Sequence, residues 1–369
     1  YYKMKPCITA IGIANPLYRT PQDKIAEFMA RAHQLKGKDK NRLIALYRAT
    51  GIKYRYSVLK DYGANPSDYQ FYQSDFSPFP GTAQRNILYR KEALPLAVTA
   101  IEDCLSPDLN RVTITHLITV SCTGLYAPGL DIELVETLGL PDDTRRTGIN
   151  FMGCYAAFNA LKMAKAICES SKDAKVLIVC VELCSLHFQK ASTPDFMLSN
   201  ALFGDGAAAV MLENSKVIRG FEIIDEQCSL VSEGYSEMSW QIGDSGFEMM
   251  LSQDVPELIK GHISQLTNKL LARHQWQLPD IDYFAIHPGG KRILQCIQQA
   301  LGITAHDSRF PLQILQEYGN MSSTTILFVL KEIWNNLNNG DHGKKVLCFA
   351  FGPGLTLESM ILRITKTHK

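Results

Sequence analysis

Three residues far apart in the sequence carry groups that could act together on an activated carbonyl: the thiol of Cys154, the imidazole of His287 and the carboxamide of Asn320. A thiolate is a nucleophile, an imidazole exchanges protons near neutral pH, and an amide N–H can hold a developing oxyanion. Gly153-Cys154 falls where a strand-like run, 148–152, gives way to a helix. A thiol there meets unpaired backbone N–H groups and the positive end of the helix dipole, which both favour thiolate. A protonated imidazole alongside favours it further. His287 ends a strand-like run that enters a Pro-Gly-Gly turn, and Asn320 sits in Tyr318-Gly319-Asn320-Met321-Ser322-Ser323. Taken singly, each has a structural explanation: a small core cysteine, a satisfied core histidine, a helix-capping asparagine.

The order Cys, His, Asn, with intervals of 133 and 33 residues, also invites comparison with papain-like proteases. Those enzymes place Cys-Gly-Ser-Cys-Trp near the mature N-terminus. Here the thiol stands in mid-chain, in Gly153-Cys154-Tyr155-Ala156, on an alternating α/β background.

The elements that must position the three groups are legible from periodicity. Runs 114–121 (ITHLITVS) and 175–183 (KVLIVCVEL) are short, β-rich and apolar, as in sheets covered on both faces. Thr20 with Pro21 opens a predicted helix to about residue 35, and helices are predicted over 154–170 and 320–337. This alternation implies α/β layers with parallel strands. The aromatic stretch 62–80 reads as an excursion over the surface. A repeat links the elements. Cys122 and His287 end similar strands 165 residues apart, Gly153-Cys154 and Gly319-Asn320 open similar helices 166 apart, and Lys175 and Lys345 start similar strands 170 apart. A duplicated α/β unit follows, with Cys154, His287 and Asn320 at equivalent edges, where ligands of parallel sheets usually sit.

With 369 residues the chain suits two domains or one large one. Thirty-eight basic residues against 37 acidic ones argue against a nucleic-acid binder. No apolar run approaches the ~18 residues of a membrane-spanning helix, and the first ten residues lack a signal-peptide stretch. Ten scattered cysteines, several inside apolar runs, read as reduced thiols of a cytoplasmic protein, and no Cys/His set completes a zinc site.

The full motif set resembles the type III polyketide synthases, the chalcone synthase-like branch of the thiolase superfamily. The resemblance runs nearly end to end. It rests on Gly153-Cys154, Ala201-Leu202-Phe203-Gly204-Asp205-Gly206-Ala207-Ala208, Gly246-Phe247, Asp254-Val255-Pro256, His287-Pro288-Gly289-Gly290, the Asn320 motif and Phe351-Gly352-Pro353-Gly354. Ala350 departs from the glycine often found there. Cys-Thr-Gly at 122–124, the run 182–187 and Ser245-Gly246-Phe247 are similar to bacterial members.

The resemblance implies an α/β protein with a five-layered αβαβα thiolase-like fold. Its two duplicated halves, 1–214 and 215–369, carry the nucleophile and the His/Asn pair respectively. It also implies a homodimer, no carrier-protein domain and no bound cofactor or metal. Its substrates are an acyl-CoA starter and malonyl-CoA. In that reading Cys154 takes the starter, His287 holds its thiolate, and His287 with Asn320 stabilises the enolate left when malonyl-CoA loses CO₂. Phe203 and Phe247 match the two gatekeeping phenylalanines. Cys122, Thr123, Cys184, His187 and Ser322 map to the cavity lining. Ala127 falls where plant members place a methionine reaching the partner's cavity. Arg42, Lys53 and Lys291 are candidates for the coenzyme A phosphates, although Ala45 and Ala49 stand near positions where plant relatives keep basic residues. The small Ala127 suggests a fatty acyl starter and an alkylpyrone or alkylresorcinol product. The alternatives are a small or aromatic starter, a ketoacyl synthase making one condensation, and a non-catalytic scaffold.

Overall fold

The computed structural model describes residues 5–107, 109, 111–215 and 219–366. Nine strands form one mixed sheet in the order Tyr283–Ile286, Lys345–Gly352, Thr356–Lys366, Arg219–Leu230, Lys5–Ala14, Asp205–Ser215, Lys175–Leu183, His116–Ser121, Arg145–Asn150. The order is nearly palindromic about its middle. Lys5–Ala14 and Arg219–Leu230 meet there antiparallel through Cys7↔Glu222 and Ile8↔Phe221. The strands that the repeat equates stand at matching distances from this junction, Lys175–Leu183 opposite Lys345–Gly352 and His116–Ser121 opposite Tyr283–Ile286.

Period-two alternation sets the layers. Val176, Ile178 and Cys180 face a central core, as do Val346, Cys348 and Ala350. Their neighbours Leu177, Val179 and Val181 face one outer core, and Leu347, Phe349 and Phe351 the other. Helices Ala156–Ser170 and Thr325–Asn336 fill the central core between the two halves of the sheet. Helices Gln22–Ala32 and Thr82–Cys104 cover one outer face; Val255–Ala272 and Lys291–Leu301 cover the other. Helix, sheet, helix, sheet, helix make five layers, the thiolase-like α/β architecture. Helix Ala156–Ser170 turns Ala156, Ala157, Ala160 and Ala164 inward, so its backbone lies close to the strands. Truncating the largest residue of that face, Phe158, costs about 3–5 kcal/mol.

Three expectations need correction. The sheet is parallel only at its two ends, and the strands around the central junction are antiparallel. Thr20 is not a helix cap: it pairs with Arg55 in a short two-stranded antiparallel ribbon, and the helix starts at Gln22 behind Pro21. The stretch 62–80, though half exposed, is more than an excursion over the surface. Its Tyr62, Tyr72 and Phe76 are buried around the Phe28 ring, and the buried Asp61 carboxylate accepts the backbone N–H groups of Gln70, Phe71 and Tyr72 at 2.9, 3.0 and 2.8 Å.

Candidate active site

Cys154 and Asn320 stand just before the two central helices, each behind a left-handed glycine. Gly153 has φ 80° and Gly319 φ 71°. A Cβ on Gly153 would lie 2.3 Å from Pro353 Cδ, and one on Gly319 would lie 2.8 Å from the Leu202 carbonyl oxygen. Both turns therefore require glycine for conformation and for space. They bring the Cys154 thiol to 4.0 Å from Asn320 Oδ1, across 166 residues. Ser322, itself left-handed at φ 51°, donates its backbone N–H to the same Oδ1 at 2.8 Å. Asn320 Nδ2 donates one hydrogen to the Gly289 carbonyl at 3.3 Å, leaving its other N–H available.

Gly289 follows the His287-Pro288 turn, so it ties Asn320 to the third group. Its N–H bonds the His287 carbonyl at 3.0 Å, and an added Cβ would lie 3.7 Å from His287 Nε2. Cys154, His287 and Asn320 retain only 5%, 1% and 2% of their exposure. Both ring nitrogens of His287 lack a hydrogen-bond partner. Buried polar atoms are almost always paired, so an unpaired buried imidazole calls for a functional explanation. Burial pushes the Cys154 thiol up to about 12, opposed by hydrogen bonds from Ser322 and Asn320 and assisted by the charge of Glu182. Burial also holds His287 down to about 3. Both shifts favour uncharged partners. Proton transfer from thiol to imidazole creates no net charge, so a thiolate–imidazolium pair avoids part of each penalty.

Glu182 is the functional-site residue that the sequence reading passed over. It is fully buried and forms no ion pair among the described residues. Its carboxylate accepts the Cys122 N–H at 3.0 Å, the Thr123 hydroxyl at 2.8 Å and the Ser323 hydroxyl at 2.5 Å. Cys122 Sγ in turn accepts the Gly153 N–H at 3.1 Å. Glu182 thus clamps the turn beside Cys154 to the turn beside Asn320. Burial raises its carboxyl to about 7 against those three hydrogen bonds.

Two cavities lie near these turns, though none of the three residues lines either one. One, about 300 Å³ and mostly apolar, is lined by Ala49, Thr50, Leu202, Pro256, Gly289 and Gly290 and bordered by Lys291. It reaches the glycine that holds Asn320. The other, only about 30 Å³, is lined by Cys184, His187, Phe203, Trp240 and Met249. Successive residues separate them. Leu198, Leu202 and Leu251 face the larger cavity, while Ser199, Phe203 and Met249 face the smaller. Phe203 therefore stands in a partition between them, and its backbone pairs with Asn320. Phe247 stacks on His187 with ring centroids 4.3 Å apart and planes 6° apart. His187 bonds the Thr123 carbonyl through Nε2 at 2.7 Å and accepts the Phe247 N–H at Nδ1 at 2.9 Å. That pattern fixes a neutral tautomer, and burial holds the ring down to about 3.

Not every expected residue joins this group. Ala127 is exposed, in a loop outside both cavities. Arg42 is exposed and paired with Asp39 at 3.1 Å, outside the larger cavity. Lys53 lines a separate surface cleft with Arg48 and Gly51. The two lysines approach through Gly51, whose added Cβ would lie 3.4 Å from Lys291 Cδ. Among the described residues no cluster of His, Cys, Asp and Glu could hold a metal, and no helix is long and apolar enough to cross a membrane.

The fold and the buried turns define a thiolase-like condensing-enzyme framework. Comparison with known proteins narrows it. Residues 2–215 match the N-terminal domain of the chalcone and stilbene synthases, and residues 222–365 match the C-terminal domain. A putative chalcone synthase of Bacillus subtilis is 31% identical over 96% of this chain and 97% of its own length. The alpha-pyrone synthesis polyketide synthase-like Pks18 of Mycobacterium tuberculosis is 30% identical over 93% of this chain and 86% of its own. The crystal structure of PKS-I from the brown alga Ectocarpus siliculosus superposes with TM-score 0.91 at 30% identity, covering 98% of this chain and 99% of that one. The C-terminal type III polyketide synthase domain of Steely1 from Dictyostelium gives 0.89 at 26%, covering 98% and 100%. The chain belongs to the chalcone and stilbene synthase family, the type III polyketide synthases. Substrates of that family are acyl-CoA and malonyl-CoA thioesters.

Proposed function

We propose that Cys154, His287 and Asn320 are the catalytic residues, and that the enzyme extends a fatty acyl starter with malonyl-CoA to an alkylpyrone or alkylresorcinol. The observation that carries the reading is the approach of Cys154 to Asn320, with the unpartnered His287 imidazole tied to Asn320 through Gly289 at the edge of an apolar cavity. In the first step His287 takes the Cys154 proton, the sulfur attacks the acyl-CoA carbonyl, and coenzyme A leaves with that proton. Sulfur replaces sulfur, so the acyl group stays activated. Malonyl-CoA then loses CO₂. The resulting enolate oxygen is held by the free N–H of Asn320 and by His287, donors placed before the charge develops. The enolate carbon attacks the acyl–Cys154 carbonyl and releases the thiolate, and a second or third round followed by ring closure gives the product. None of these steps calls for a metal or a further cofactor.

The larger cavity takes the pantetheine arm, with Lys291 at its rim for the phosphates. The acyl group sits beside Cys154, with Phe203 and Phe247 as the gate towards coenzyme A and Cys122, Thr123, Cys184, His187 and Ser322 around it. Residues 1–214 and 215–369 form the two halves. A second copy adds against the outer strand Arg145–Asn150, whose far edge has no strand partner among the described residues. The alpha-pyrone name of the mycobacterial relative supports the product class. The test is a panel of acyl-CoA starters with malonyl-CoA, read by mass spectrometry. Pyrones or resorcinols from octanoyl- to hexadecanoyl-CoA are expected. Preference for acetyl or aromatic starters would overturn the starter assignment, and one condensation onto an acyl carrier protein would overturn the reaction.

A further inference from the structure

The helix Pro194–Leu202 ends against the turn that carries Asn320, and the last carbonyls of a helix have no partner within it. Here each one is answered from elsewhere. The Asn200 carbonyl accepts Arg55 Nη1 at 2.8 Å, and the Ala201 carbonyl accepts Gln22 Nε2 at 2.8 Å. The Leu202 carbonyl accepts the Asn320 N–H at 2.9 Å, and the Phe203 carbonyl accepts Arg55 Nη1 at 2.6 Å. The Gly204 N–H returns a bond to the Asn320 carbonyl at 2.9 Å. The partition residue Phe203 and the Asn320 turn are therefore one hydrogen-bonded unit, and Arg55 is the side chain that closes it.

Arg55 lies on the short strand Tyr54–Ser57 and is buried. Its hydrogen bonds among the described residues go to Gln22 Oε1, at 2.9 Å from Nε, and to the two carbonyls, none to a carboxylate. Asp205, the buried acid that acts on it through space, has its oxygens taken by the Val58 and Ser185 N–H groups and the Ser185 hydroxyl. A buried cation without a negative partner is costly, and the carbonyl end of the helix dipole supplies that partner here. The stem is fitted as closely as the head. A Cβ added to Gly319 would lie 3.0 Å from Arg55 Cγ, so the left-handed residue before Asn320 packs directly on Arg55. None of these contacts involves Cys154 or its turn.

We infer that Arg55 is a positioning residue for the loss of CO₂ from malonyl-CoA: by capping the helix end and backing Gly319, it holds the Asn320 carboxamide in place. The inference rests on the proposed roles of Cys154 and Asn320 and gives one further residue a share in only one of the two half-reactions. Loading of Cys154 needs the thiol, His287 and the starter. Decarboxylation needs the Asn320 N–H aimed at the forming enolate oxygen, and a donor misplaced by a fraction of a bond length loses that aim. The second step therefore depends on Arg55 and the first does not.

The test measures the two steps separately in the wild type, Arg55→Met and Arg55→Lys, with folding checked by circular dichroism. The first readout is the rate of Cys154 acylation by octanoyl-CoA, from intact mass. The second uses malonyl-CoA alone: CO₂ leaves, the enolate takes a proton from water, and acetyl-CoA is measured. Arg55→Met is expected to keep acylation within about threefold and to slow decarboxylation ~10²-fold, the effect of misplacing a group by about 1 Å. Arg55→Lys keeps the charge but not the planar fork, and should fall between. In an Asn320→Ala background the Arg55→Met loss should shrink to about threefold or less, because a residue acting through Asn320 has nothing left to position. If Arg55→Met does not fold, Arg55→Lys carries the test. Equal falls in both steps, unchanged decarboxylation in a folded variant, or the full loss on top of Asn320→Ala overturns the inference and leaves the catalytic assignments standing. Wild-type decarboxylation by Asn320→Ala itself overturns the Asn320 role, and the inference with it.

Discussion

The Cys154 thiol lies 4.0 Å from Asn320 Oδ1, and the two residues occupy the same position in the two related parts of the sheet. Each precedes a central helix and follows a left-handed glycine. The nucleophile and the proposed oxyanion donor are therefore equivalent positions filled with different chemistry. Their approach is a consequence of packing the two helices side by side in one core.

Gly153 sets the position of the thiol without touching substrate. In Gly153→Ala the new Cβ would meet Pro353 at 2.3 Å, in a backbone conformation alanine rarely adopts. The turn must shift, and misplacement by about 1 Å can cost ~10² in rate. Circular dichroism is expected to match the wild type while kcat/KM falls by about that factor. Wild-type turnover would show that the turn does not position Cys154.

Asn320→Asp separates oxyanion binding from shape. It removes the free N–H and places a carboxyl beside the thiol. A drop of ~10²–10³ in kcat is expected. Iodoacetamide should also alkylate Cys154 more slowly at neutral pH, because a nearby negative charge opposes thiolate. Faster alkylation would mean that residue 320 does not face the sulfur in solution.

Phe203 stands between the two cavities. Phe203→Ala joins them and admits water to the place where malonyl-CoA loses CO₂. More CO₂ released per polyketide formed is expected, measured by trapping CO₂ alongside product. An unchanged ratio would remove Phe203 from the gate.

His187 and His287 are both held neutral down to about pH 3, while a histidine in the unfolded chain protonates near its ordinary 6.5. Below 6.5 the unfolded state thus binds more protons than the folded one. Their contribution is intact above 6.5 and is lost as pH falls towards 3, each group by about 1.4 kcal/mol per pH unit. Two buried carboxyls act the other way over part of this range, because Glu182 and Asp205 are raised to about 7 and about 6. The single-residue test is His187→Asn. It should be less stable throughout, and its stability should fall less steeply than that of the wild type between pH 6.5 and 5. Urea unfolding at both pH values measures this, and an equal slope would mean that His187 titrates normally in the fold.

Much of this site was legible in the sequence because chemistry and repetition coincide. The 166-residue offset between Gly153-Cys154 and Gly319-Asn320 marks the two turns that meet. Glu182 was harder to see. A carboxylate inside the apolar run 175–183 is itself a signal, since burying one without a cation is costly, yet its partners Thr123 and Ser323 are 59 and 141 residues away. The antiparallel middle of the sheet was missed because its strand Asp205–Ser215 is rich in alanine, a residue of low strand preference. Ala127 and Arg42 were placed by likeness alone; neither lines the two cavities. The partition by Leu198, Leu202 and Leu251 carries no polar signature, so only its shape reveals it.

The most direct measurement is the mass of the enzyme after brief exposure to an acyl-CoA without malonyl-CoA, followed by peptide mapping. One acyl group is predicted per chain, on Cys154, and none in Cys154→Ala, which should also form no polyketide when malonyl-CoA is added. An acyl group on any of the other nine cysteines, or chain extension by Cys154→Ala, would contradict the account.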